Sequence, residues 1–234
     1  MKLASKILLT AVAPFMIWLV LFSLKNRRSL HHQAMGFFGK KNGTESVKSY
    51  TEPPVHENKW VDSHLTLETA LHGSSAPGFI RKDLVLVSVR YRGYDSLEHQ
   101  GQLVLHRGLR DEIVEIFEEL FLAGFPIEKV KPIIHYKWSD SASMADNNTS
   151  AFNYRKSTAS NRLSLHAYGR AIDINPRQNP YIYREIILPE GGTFEPSAPG
   201  TITETSQIVR LFEEKGWRWG GRWKRPKDFQ HFEK

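Results

Sequence analysis

Asn161–Pro176 reads NRLSLHAYGRAIDINP, and it sets His166 and Asp173 seven positions apart with Gly169 between them. In AIDIN, strand alternation places Ala171, Asp173 and Asn175 on one face. His166 then belongs to the preceding turn, where Gly169 lets the chain fold back. A histidine from a turn and an aspartate from a strand need a third group before they can hold an ion. The chain supplies one further on, where DFQHFEK adds Asp228 and His231. Two imidazoles and a carboxylate suffice for one zinc ion with a position left for water. Asp228 is the candidate to take a proton from that water. On a regular strand Asp228 and His231 point to opposite faces, so this reading requires a strand end or bulge between them. The competing reading makes Asp228 a turn or capping aspartate after Pro226. There is no HExxH, and the remaining histidines do not recur with helical metal spacing.

Outward from this stretch, Leu84–Tyr91 (LVLVSVRY) and Gln102–His106 read as strands, and Lys129–Tyr136 as a third. Leu109–Ala123 carries apolar residues at helical spacing with Asp111 and Glu112 in its first turn, and Gly124 stops it. Ser139–Ser150 is polar and loop-like, with room for one helical turn. Ala171–Ile174 and Phe229–Phe232 are short strands. Tyr183–Gly200 is rich in Gly and Pro and reads as an excursion loop; Thr203–Lys215 reads as a second helix ended by Gly216. Strands and helices do not alternate, so the expected fold is α+β: a small, mainly antiparallel sheet flanked by helices.

The 234 residues contain no cysteine, which excludes disulfides, iron–sulfur clusters, thiolate zinc sites and a cysteine nucleophile. Net charge is +7, and residues 1–78 hold nine Lys/Arg against five Asp/Glu. A nucleic-acid face would cluster Lys/Arg with aromatics, and Trp217–Lys227 (WRWGGRWKRPK) is the best such segment; the reading sets a nucleic-acid partner aside. Ile7–Leu24 is uncharged over 18 residues and flanked by Lys2, Lys6, Lys25, Arg27 and Arg28. As a helix it is about 27 Å long, near the minimum for a bilayer core. The poor cleavage site in LFSLKNRR favours a membrane anchor over a secretory signal peptide. The expected organisation is therefore 1–24 signal-anchor or signal peptide, 25–78 polar tether, and 79–234 the folded domain. Trp60–Leu71 is read as a short helix within the tether.

SLHAYGRAIDINP with DFQHF resembles the M15 zinc peptidases, which cut D-amino-acid-containing peptides of peptidoglycan. The pattern S-x-H-x-x-G-x-A-x-D is met by Ser164, His166, Gly169, Ala171 and Asp173. The ending W-G-G-x-W…D-x-x-H is met by Trp219, Gly220, Gly221, Trp223, Asp228 and His231. SMADNNTSAFNYR (Ser143–Arg155) is similar to the segment that precedes the metal motif in that family. The resemblance covers about residues 79–234. It implies zinc on His166, Asp173 and His231, Asp228 as catalytic base, Arg155 on the substrate or transition state, and Ser164 steadying substrate or ligand. The residues alone do not choose among Arg155, Arg162 and Arg170 for the cationic role. The implied activity is D-Ala-D-Ala carboxypeptidase, with L-alanyl-D-glutamate endopeptidase and a non-catalytic zinc-folded wall-binding module as alternatives. The implied partner is the peptidoglycan stem peptide, and the implied place is the cell envelope, outside the cytoplasm.

Overall fold

The computed structural model describes residues 60–157 and 160–234. The apolar run at 7–24 and the tether as far as residue 59 lie outside the described residues, and with them the expected membrane anchor. Among the described residues no helix is long and apolar enough to cross a membrane.

A β-rich run with matched ends forms the longest pairing. β1 (Trp60–Val61) runs parallel to β3 (Glu98–His106). β2 (Leu84–Arg92) pairs antiparallel with β3 along its whole length, Leu84 opposite His106 and Arg92 opposite Glu98. Both faces of this hairpin are covered. Val87, Val89, Tyr91, Leu103 and Leu105 enter the main core, whereas Leu84 and Val104 join a second cluster with Ala70, Leu71, Ala76, Ile80 and Phe152.

That second cluster corrects the expected boundary. Residues 60–78 are folded rather than linking: β1 adds to the hairpin, and α1 (Leu67–Ala70) packs beneath it. The Thr66 hydroxyl caps α1 by accepting from the Thr69 amide at 3.2 Å. α2 (Gly78–Arg81) follows and buries Ile80.

α3 (Arg110–Leu122) buries Ile113, Ile116, Phe117 and Leu120 against the main core, as its periodicity requires, while the Phe121 ring lies under the Arg90 and Arg92 guanidinium groups. The expected third strand survives only as β4 (Lys129–Val130), parallel to β5 (Asn148–Thr149). Pro132 has no N–H to continue a ladder, and Ile133–Tyr136 instead forms a 3₁₀ turn that buries Ile133. α4 (Asp140–Ala145) occupies the polar stretch, its first turn capped by the Ser139 hydroxyl.

The C-terminal part holds two small antiparallel sheets. β6 (Ala171–Asp173), β11 (His231–Glu233) and β9 (Arg218–Trp219) stand in the order β6–β11–β9. β10 (Lys227–Asp228), β7 (Tyr181–Tyr183) and β8 (Ile186–Leu188) form the other, so the expected excursion loop contains a hairpin. α5 (Gln207–Glu214) buries Ile208, Val209 and Phe212 against Trp217 and Phe232. The fold is α+β, with several small sheets in place of the one expected.

The basic aromatic segment divides between core and surface. Trp217 and Trp219 are buried; their indole N–H groups donate to Glu112 and to the Phe229 carbonyl at 3.0 and 2.8 Å. Arg222 is ion-paired with Glu213.

Candidate metal centre

Three chain segments converge on one buried point. His166 lies in a 3₁₀ turn, Leu165–Tyr168, capped by the Ser164 hydroxyl, which accepts from the His166 amide at 3.3 Å. Gly169 closes that turn at φ +64°, and its carbonyl accepts from the His106 amide at 2.8 Å. A Cβ there would stand 2.6 Å from that amide nitrogen, so only glycine brings the turn this close to β3. Asp173 ends β6, with Ser150 bridged on one side and His231 of β11 directly opposite on the other. Asn175 has left the strand: at φ +47° its amide group binds the Pro126 and Gly200 carbonyls.

The donor atoms meet at zinc-like spacing. His166 Nε2 is 3.2 Å from His231 Nδ1 and 3.1 Å from Asp173 Oδ2, and His231 Nδ1 is 2.9 Å from Asp173 Oδ1. Ligands at about 2.0–2.1 Å around one tetrahedral ion are separated by about 3.3 Å, so the set fits with little adjustment. Outer hydrogen bonds brace both rings. His166 Nδ1 is 2.5 Å from the Ala151 carbonyl, which can only accept. His231 Nε2 is 3.2 Å from Glu233 Oε2, a carboxylate that Arg218 also holds at 2.7 Å. With the outer nitrogens so engaged, His166 Nε2 and His231 Nδ1 point at each other and at the Asp173 carboxylate, an arrangement that calls for a proton or a cation among them.

Electrostatics agree. Burial alone would raise Asp173, but His166 and His231 hold it well below the usual carboxylate range. Burial opposes charge on His231, yet its bonds to Asp173 and Glu233 raise it to about 10. The hydrogen bond from His231 outweighs burial at Glu233 and lowers it.

Asp228 meets the geometric requirement set by its spacing from His231. It ends β10 in one sheet, whereas His231 opens β11 in the other, and Phe229–Gln230 carries the chain between them. Its Oδ1 is buried without a hydrogen-bond partner. Burial and the nearby Asp173 charge raise it to about 6, against the opposing pull of His231. Gly220 backs it, since a Cβ there would stand 2.5 Å from the Asp228 carbonyl oxygen.

His166, Asp173, Asp228 and His231 line a cavity of about 270 Å³, and Ser164, Arg155 and Arg162 line it too. Arg155 Nε forms a 2.9 Å ion pair with Asp140. Arg170 turns away and donates to the Lys234 carbonyl at 2.8 Å, so it is an anchor of the fold. Sequence reasoning passed over Glu233, Asp140 and Gln230. Glu233 had a signal, being an acid two positions beyond a metal-spaced histidine; the other two had none.

Residues 158–234 match the M15-type family model described as D-alanyl-D-alanine carboxypeptidase, so the resemblance seen in the sequence holds over this C-terminal part. Among curated proteins and among solved structures, no match was found.

Proposed function

We propose that this chain is a zinc-dependent peptidase acting on D-amino-acid-containing peptides of peptidoglycan, with release of the terminal residue of D-Ala-D-Ala as its reaction. The observation that carries the reading is the convergence of His166 Nε2, His231 Nδ1 and the Asp173 carboxylate at 2.9–3.2 Å from one another, with Asp228, whose Oδ1 has no hydrogen-bond partner, in the same cavity. His166, Asp173 and His231 would hold the ion. When bound, it would supply Lewis acidity, polarising the scissile carbonyl and making water more acidic.

The remaining chemistry belongs to the chain. With its carboxyl raised only to about 6, Asp228 is mostly ionised at neutral pH and accepts a proton from the attacking water. As the C–O bond forms and the C–N bond breaks, Asp228 returns that proton to the leaving amine. Arg155, ion-paired with Asp140 on the cavity wall, would stabilise charge developing on the carbonyl oxygen. Ser164 positions His166 by capping its turn. A non-catalytic binding module would have no use for the perturbed acid at position 228.

The substrate lies outside the cytoplasm, so the catalytic domain belongs in the cell envelope, with residues 7–24 as its membrane attachment. The test is digestion of purified peptidoglycan by the zinc-loaded protein, with products read by mass. Loss of one terminal D-Ala is expected, and His231→Ala should lose both bound zinc and this product. Release of whole stem peptides would assign an endopeptidase, and no product from zinc-loaded protein would end the enzymatic reading.

A further inference from the structure

We propose that Arg162 is the carboxylate anchor of the cleft, its guanidinium binding the free C-terminal α-carboxylate of the peptide whose last bond is cut. The inference deepens the peptidase reading and rests on it.

The charges around the cavity are matched almost throughout. Arg155 is paired with Asp140 at 2.9 Å. Asp173 sits between His166 and His231 at 3.1 and 2.9 Å. Glu233 is held by Arg218 at 2.7 Å and by His231 at 3.2 Å. Asp228 is needed free to carry a proton. Arg162 is left over: it lines the cavity, and among the described residues its guanidinium has no ion pair or hydrogen bond. A cation without a partner, on the wall of an otherwise charge-matched cleft, selects an anionic group on whatever binds there.

Its backbone is well placed for this. The Arg162 carbonyl accepts from the Ser157 amide at 2.8 Å, Leu163 bridges Lys156, and the Ser164 amide donates to the Arg155 carbonyl at 3.1 Å. The cation therefore projects from a laddered segment that runs directly into the Ser164 cap and the His166 turn. Leu188 and Trp223 supply apolar surface in the same cavity. The planar fork of arginine matches a carboxylate through two parallel bonds, which a C-terminal carboxamide cannot reciprocate. In the free protein Arg162 is exposed, so its contribution appears when a bound peptide covers it.

The test uses two peptides differing only in a terminal carboxylate or carboxamide, offered to the zinc-loaded full chain. The wild type should favour the carboxylate by about 10- to 100-fold in kcat/KM. Arg162→Met should collapse that ratio to about one with the change carried in KM and zinc content retained, and Arg162→Lys should restore part of it. Equal use of both peptides by the wild type, or a preference that survives in Arg162→Met, overturns the anchor and leaves the peptidase reading standing. Zinc-loaded wild type that cleaves neither peptide overturns both.

Discussion

The β2–β3 hairpin with α3 and the small sheet β6–β11–β9 contribute to one core, yet they are held by different means. The hairpin and helix meet through Val87, Val89, Leu103, Leu105, Ile113, Ile116 and Phe117, none of which depends on a directed bond. The small sheet also lends Ile172, Trp219 and Phe232 to that core, but at its Asp173/His231 end it buries two imidazoles and a carboxylate. Apolar burial tolerates small shifts and is stabilising throughout. A buried polar cluster is stabilising only when each atom is matched, and Asp228 Oδ1 is not. The difference separates a region that maintains the fold from one whose cost to the fold is a condition of its chemistry.

Substitution should separate the two regions most sharply at Asp228. Asp228→Ala is expected to lower kcat by about 10²- to 10⁴-fold while zinc stays bound. Chemical denaturation of its metal-free form should show no loss of stability, because a buried unpartnered oxygen has been removed. Turnover at the wild-type rate would refute the base assignment. On the scaffold, Phe117→Ala should cost about 3–5 kcal/mol of unfolding free energy, with kcat of the folded fraction maintained. A matching fall in kcat would mean that the two regions are not separable.

The smallest effect is in protons. His231 titrates near 6.5 when unfolded and near 10 in the folded, metal-free protein. Between those values the folded state holds the extra proton, so this contribution is fully present below pH 6.5 and is lost as pH rises toward 10. The melting temperature of metal-free protein should fall across that window. Zinc must displace the same proton, so titration at pH 7 in buffers of different ionisation enthalpy should release about one proton per ion from this site. Zinc uptake without proton release would remove His231 from the ligand set.

The legibility of the two regions also differs. Helix α3 was readable because 3.6-residue periodicity runs through it, and only Val114 and Leu122 among its apolar residues face water. His166, Asp173 and His231 were readable as ligand-type residues, and the spacing of Asp228 and His231 called for a strand end or bulge between them, though not for the change of sheet that provides it. What escaped is what no side chain announces. The Ala151 carbonyl that orients His166 is main chain, and Gly220 matters through the atom it lacks. Residues 60–78 were assigned to the tether with one short helix over Trp60–Leu71, yet Ala70 and Ala76 are small enough to fit into the cluster beneath the hairpin. The β7–β8 hairpin was hidden by the Gly and Pro content around it, and the strand predicted over Lys129–Tyr136 was cut short at Pro132.

The two histidines are oriented by unlike partners, and mutation will therefore erode them unequally. The acceptor behind His166 belongs to the peptide backbone, which no single codon change deletes; position 151 can vary so long as the chain keeps its course. The acceptor behind His231 is the side chain of Glu233, one nucleotide away from being lost. Random drift should thus disable this centre first through position 233, leaving His166 correctly aimed in a protein that has begun to loosen its grip on the other imidazole.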